Sequence, residues 1–143
     1  MTSSEVTRAD LEQTLAQAVF ISAYDFELVD FSAGRCTVKA PFKAANLRPG
    51  GIIGGPLLMT AADVTMWLAI LTLTGLDEMA VTTELKTSFL TSASQGDVLC
   101  SAQVLKEGRR LIYGTAECTS EEGKLLTHHT VTYLRLGTDG VQR

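Results

Sequence analysis

The stretch Arg48-Pro49-Gly50-Gly51-Ile52-Ile53-Gly54-Gly55-Pro56-Leu57-Leu58-Met59-Thr60-Ala61-Ala62-Asp63-Val64-Thr65-Met66-Trp67-Leu68-Ala69-Ile70-Leu71-Thr72-Leu73-Thr74-Gly75 decides the fold. It reads as a glycine-rich turn running into an unbroken apolar segment. Pro56 suits a first helical position, where its missing N–H costs nothing. Gly75 stands where a left-handed cap closes a helix. The predicted helix spans about 56–74 and would be roughly 28 Å long. A helix apolar on nearly every face must be buried inside something else. Asp63 is its only charge.

The rest of the chain reads as sheet around that helix. The 143 residues are enough for one core and too few for two, so a single domain over 1–143 is expected. Hydrophobic residues at 45% and charged residues at 20% are globular values. A net charge of -4 argues against a nucleic-acid or anionic-membrane partner. Asp63, the threonines and the lack of a basic flank argue against a membrane span. Met1 to Asp10 is polar and acidic, unlike a secretory signal. Cys36, Cys100 and Cys118 are widely spaced and form no CxxC pair, so neither a zinc site nor a disulfide framework is expected. Each falls in a strand-like run, where a free thiol packs as a small apolar group. A reducing, cytoplasmic compartment fits best.

Before the turn, Thr7-Arg8-Ala9-Asp10 is a helix start with an acid three residues after the cap. Leu11, Leu15, Ala18 and Val19 continue it at helical spacing to about residue 19. Asp25 to Phe31 and Arg35 to Phe42 are β-rich runs joined by Ser32-Ala33-Gly34, a hairpin pattern. After Gly75 come four long strand patterns, Val81 to Leu90, Asp97 to Lys106, Arg110 to Thr119 and Leu125 to Leu136. Ser94-Gln95-Gly96-Asp97, Glu107-Gly108-Arg109 and Glu121-Glu122-Gly123-Lys124 join them, which predicts one continuous antiparallel meander. Alternation within the strands implies one face on the core. The simplest architecture is α+β, an antiparallel sheet of five to six strands wrapped around one long helix, with a loose tail at 137–143.

From Asn46 to Leu136 the chain resembles the hotdog-fold acyl-CoA thioesterases of the phenylacetate-degradation type. Gly54-Gly55-Pro56 leading to Ala61-Ala62-Asp63 is similar to that family's glycine-rich turn and aspartate-bearing helix. Thr82, in Val81-Thr82-Thr83-Glu84-Leu85-Lys86, falls where the family places an active-site serine or threonine. Gly108-Arg109-Arg110-Leu111-Ile112-Tyr113 resembles the hairpin near which coenzyme A commonly lies, and Ser94-Gln95-Gly96-Asp97 also matches. Two positions depart from the pattern. Gly54 replaces the family histidine, and the family asparagine falls on Arg48 without a gap or on Asn46 with one.

The resemblance implies a hotdog fold that hydrolyses an acyl-CoA with an apolar acyl group, medium-chain or aromatic, without metal or cofactor. It also implies a homodimer or homotetramer with the pocket between protomers, so that Gly55 of one faces Asp63 of another. The residue chemistry agrees. Thioester hydrolysis needs a base or nucleophile, and Asp63 supplies one; its structural alternative is pairing with a nearby hydroxyl or amide. The Gly55 N–H at a helix start suits a developing oxyanion, although a glycine turn also serves tight helix entry. Thr82 could orient a water, and taken alone is an ordinary strand residue. Met59, Asp63 and Trp67 share a helix face, which makes Trp67 a candidate pocket wall.

Arg48, Lys86, Arg109 and Arg110 are candidates for phosphate or pantetheine, and only Arg109-Arg110 stands out from solvated surface. Asn46 and Gly54 join the substrate-binding set through the family comparison. His128-His129 point to opposite faces of a strand and are read as structural. No phosphate loop, dinucleotide fingerprint or serine elbow is present. Two other readings remain open on sequence: a non-catalytic acyl-CoA-binding module, favoured by the missing histidine, and a hydroxyacyl dehydratase, disfavoured because no histidine lies near the turn.

Overall fold

The computed structural model of the protein describes residues 1–137. The apolar stretch forms helix α2, Gly55–Thr74, which is 20 residues and about 30 Å long. Helix α1 covers Arg8–Gln17, followed by a 3-10 segment, Val19–Tyr24. The strands are β1 (Glu27–Ser32), β2 (Arg35–Ala40), β3 (Leu47–Arg48), β4 (Ile52–Ile53), β5 (Ala80–Phe89), β6 (Val98–Glu107), β7 (Leu111–Thr119) and β8 (Leu125–Arg135). Six of them form one antiparallel sheet, and β3 and β4 pair as a two-residue ribbon ahead of α2.

Helix α2 contacts all six strands of the main sheet. Thirteen of its residues are buried, among them Leu68, Ala69 and Ile70 at 0–1% exposure. It is long and apolar enough to cross a membrane, yet most of it is enclosed by its own sheet. The approach is closest at Gly114 of β7. A Cβ there would lie 2.4 Å from the Gln103 carbonyl oxygen and 2.5 Å from Met66 Cε of α2. Only hydrogen fits at that crossing.

The helix start read at Thr7 and the first hairpin hold. Thr7 and Asp10 form a reciprocal capping box, each backbone N–H donating to the other side chain at 3.0–3.1 Å. Gly34 turns between β1 and β2 with φ +73°, and its N–H donates to Thr72 Oγ1 of α2 at 2.8 Å. The three cysteines are buried and free.

Three expectations need correction. The continuous meander exists only across β6, β7 and β8, because the sheet order is β1-β2-β6-β7-β8-β5. Strand β5 lies at the far edge against β8, while β6 pairs with β2. The connection read as a short turn around Ser94-Gln95-Gly96-Asp97 is a crossover. It is tied down where Leu90 and Thr91 N–H donate to the Leu126 carbonyl, Ile53 N–H to the Ala93 carbonyl, and Phe42 N–H to the Asp97 carboxylate. Turn-forming residues serve a hairpin and a crossover equally, and alternation tells which face is buried but not which strand is next door.

The second correction concerns Gly75, which has a positive φ of 88° but an extended ψ of 168°, so the chain leaves α2 without a left-handed helical cap. The third concerns Val19. Helix α1 ends at Gln17, the tighter 3-10 winding rotates the inward face, and Ile21 is buried while Val19 is 82% exposed. Beyond Gly137, the tail expected over 137–143 lies outside the described residues.

Candidate active site

Met59, Asp63 and Trp67 form the outward stripe of α2, opposite its buried faces. Asp63 is half-buried, and its carboxylate is gripped from the sheet. Thr82 Oγ1 donates to Asp63 Oδ1 at 2.6 Å. Tyr133 Oη lies 2.8 Å from the same oxygen and 2.9 Å from the Asp63 carbonyl, which share its one proton. Thr82 and Tyr133 sit directly opposite each other in the β5–β8 ladder, and a bulge between Thr82 and Glu84 follows at once. Such a bulge re-aims side chains, and both hydroxyls converge on one carboxylate oxygen. Neither bond occupies Oδ2.

Tyr133 is 4% exposed. Burial first, and then the negative charge of Asp63, push its phenol well above the ordinary value. It therefore remains a neutral O–H donor. Two cavities open beside Asp63. One, of 240 Å³, is bounded by Phe20, Trp67, Thr82 and Tyr133. The other, of 260 Å³, is bounded by Phe20, Tyr24, Met59 and Leu85. Phe20 and Trp67 face each other with ring centroids 6.5 Å apart and planes tilted by 50°.

Gly55 lies eight residues before Asp63 on the same helix, about 12 Å along its axis. As the first residue of α2, its N–H has no acceptor within the helix. Gly54 caps the helix with extended backbone, and its own N–H donates to the Asn46 carbonyl at 2.9 Å. Gly55, Arg48, Phe89 and Leu90 border a separate cavity of 430 Å³. Within one chain, Gly55 and Asp63 therefore belong to different concavities. Sterics distinguish the two glycines of the turn. A Cβ on Gly55 would press on the Phe89 ring at 3.2 Å, whereas one on Gly54 would meet the Asn46 carbonyl oxygen at 3.4 Å and Arg48 Cβ at 3.9 Å. A Cβ at position 54 would therefore meet only ordinary contacts.

The remaining candidates fall in two places. Asn46 sits behind the Gly54 turn with its side-chain Nδ2 buried and unpaired, a group that ordinarily demands a partner. Arg48 is exposed and donates from Nε to the Pro49 carbonyl at 2.9 Å. Arg109 and Arg110 are exposed on the β6–β7 turn. That turn lies at the Asp63 end of the sheet, since Leu111 and Ile112 pair with Leu134 and Tyr133. Arg135 braces it by donating to the Gly108 carbonyl and pairing with Glu78 and Glu107. Lys86 is exposed in mid-β5, away from these turns.

His129 is fully buried, with Thr87 Oγ1 2.8 Å from Nδ1 and Thr127 Oγ1 2.7 Å from Nε2, while His128 faces the opposite side. Among the described residues no group of three His, Cys, Asp or Glu side chains is placed to hold a metal. Sequence reasoning missed Tyr133 and Phe20. Tyr133 had a weak signal, because an inward-facing tyrosine in an alternating strand needs a hydrogen-bond partner. Phe20 had none, since helical spacing pointed to Val19.

A helix turned outward at a single gripped aspartate, under a curled antiparallel sheet, is matched at sequence level by a model of the thioesterase superfamily over residues 50–127. The chain belongs to the thioesterase superfamily. This thioesterase is 34% identical over 101 residues to a presumed esterase of Saccharolobus solfataricus, covering 71% of each chain. Its fold superposes on the PaaI protein of the phenylacetic acid degradation operon of E. coli with a TM-score of 0.80, at 17% identity, covering 87% of this chain and 89% of that one. A hypothetical thioesterase protein of Streptococcus pneumoniae solved with coenzyme A gives a TM-score of 0.75 at 21% identity, over 82% and 91% of the two chains. The thioesterase is a thioester hydrolase with the hotdog fold.

Proposed function

We propose that this thioesterase hydrolyses acyl-CoA esters whose acyl group is apolar, medium-chain or aromatic, at sites shared between two protomers. The observation that carries the reading is Asp63, the one charge on α2, held through Oδ1 by Thr82 and Tyr133 with Oδ2 left for chemistry beside apolar cavities. In the base mechanism, Oδ2 takes a proton from water as the oxygen attacks the thioester carbonyl. The C–S bond then breaks, and the departing thiolate takes that proton from Asp63. In the nucleophilic variant Oδ2 attacks the carbonyl directly, the C–S bond breaks to expel the thiolate, and water then cleaves the resulting mixed anhydride, one of its protons passing to the thiolate.

The oxyanion needs a donor, and Gly55 of the same chain is about 12 Å away along the helix. Gly55 of the partner subunit supplies it when two copies meet across the outward stripe of α2. Exposed Met59, Val81 and Phe89 on that side favour such a meeting. Coenzyme A bound to the pneumococcal relative supports a CoA ester, and the exposed Arg109 and Arg110 would meet its phosphates. The buried free thiols fit a cytoplasmic location.

Asp63→Asn tests the assignment by keeping the side chain's size while removing its charge. Thiol release from acyl-CoA esters should fall by at least about a hundredfold, with ester binding retained. Full turnover in a folded Asp63→Asn protein would overturn the mechanism.

A further inference from the structure

The two cavities beside Asp63 share three residues, Phe20, Asp63 and Val64. Asp63 and Val64 are neighbours on α2 and form the floor. Phe20 alone comes from another element, so it is the wall between the compartments. Its backbone is pinned from below, because the adjacent Ile21 is 3% exposed in the core, while the Phe20 ring is 75% exposed. The ring leans on Trp67 at a centroid distance of 6.5 Å and on little else large and aromatic. A bulky apolar ring exposed on a pinned backbone is free to change rotamer at low cost.

Each compartment is smaller than the roughly 300–1,000 Å³ that holds a drug-sized ligand, and joined they fall within that range. The position of one ring therefore decides whether the apolar room next to Oδ2 is short or long. Resting on the proposed acyl-CoA hydrolysis, we propose that Phe20 is the residue that sets acyl length. With the ring against Trp67, a compact acyl group, a single aromatic ring or a short-to-medium chain, fits one compartment. A long straight chain has to displace the ring and run through both. The remaining walls suit this role: Met59 and Leu85 line the far compartment with flexible aliphatic surface, and Trp67 offers a flat face in the near one.

The test is a length profile. Thiol release is measured for the parent, Phe20→Ala, Phe20→Leu and Phe20→Trp with phenylacetyl-, butyryl-, octanoyl- and palmitoyl-CoA. Trp67 is the only tryptophan in the chain, so quenching of its fluorescence reports acyl binding directly; this arm uses the parent, Phe20→Ala and Phe20→Leu, each on an Asp63→Asn background to prevent turnover. In the parent, kcat/KM should drop at least about tenfold from octanoyl to palmitoyl, the size of discrimination that apolar fit supplies. Phe20→Ala should bring the two esters within about threefold, Phe20→Leu should lie between, and Phe20→Trp should move the optimum to shorter chains.

Because the ring is exposed, Phe20→Ala should fold as the parent does, which circular dichroism checks. A Phe20→Ala profile parallel to the parent's, with every ester scaled equally, overturns the gate while leaving the hydrolase reading intact. Absence of thiol release from every ester by the parent overturns the hydrolase reading instead. In that event the quenching series alone decides: a Phe20-dependent change in length preference for binding supports the gate, and identical preferences overturn it.

Discussion

Tyr133→Phe removes one oxygen from the site and asks whether Asp63 works as an oriented carboxylate. In the parent, Oδ1 is held from two sides, by Thr82 at 2.6 Å and by Tyr133 at 2.8 Å. The phenol is 4% exposed, so water has little room to take its place, and phenylalanine keeps the ring that walls the cavity. A hydrogen bond to a charged group contributes about 1.5–3 kcal/mol. If that whole contribution is spent on positioning Oδ2, kcat falls by about tenfold to 150-fold, at about 1.4 kcal/mol per factor of ten. KM should change by less than about threefold, because the lost group touches the carboxylate and not the acyl chain.

Thr82→Val should behave alike, and Thr82→Ser, which keeps a hydroxyl, should stay near the parent. The double variant should lose less than the sum of the two singles, since both act through one oxygen. Stability should drop by about 1.5–3 kcal/mol, or about 5–10 °C in Tm. Steady-state thiol release and thermal melting on the same preparations supply all of these numbers. If both single variants melt like the parent and keep kcat within about twofold, the grip on Oδ1 has no catalytic meaning, and the geometric argument for Asp63 fails with it.

Burial, and secondarily the charge of Asp30, push the Cys36 thiol up to about 12 from 9.0. The folded state then holds this proton more tightly than the unfolded chain, so the stabilisation is complete below about pH 9 and is lost as pH rises toward 12, by up to roughly 1.4 kcal/mol per pH unit. Urea midpoints measured upward from about pH 8.5 should fall less steeply for Cys36→Ala, and equal slopes would contradict the assignment. Arg109→Ala combined with Arg110→Ala should raise KM for CoA esters by about threefold to tenfold at low salt, less at high salt, and leave the same acyl group on a short thiol unaffected. An unchanged KM would make the pair ordinary surface. Sedimentation should show at least two chains together, whereas a single species of 15.3 kDa at micromolar concentration would remove the partner's Gly55 from the site.

The sequence by itself determined the long elements and the one charge of the central helix. Pro56 and Gly75 bracket the helix, and its unbroken apolar content dictates burial, because punctuation and hydrophobic content act over a few residues. The first hairpin and the capping box were legible for the same local reason. Asp63 stood out as a lone charge, and Thr82 through family resemblance, yet nothing local says that the two bond or that a tyrosine 70 residues onward joins them. Tertiary structure decided that. Strand β5 leaves the meander for the far edge beside β8, and only this pairing sets Thr82 opposite Tyr133 beneath the outward stripe of α2. The same wrapping lets a 3-10 turn carry Phe20 over Trp67, and the rise of the helix keeps Gly55 away from Asp63 in one chain. Strand order and cross-sheet contact follow from how the whole apolar helix is covered, a long-range condition that periodicity along the chain does not encode.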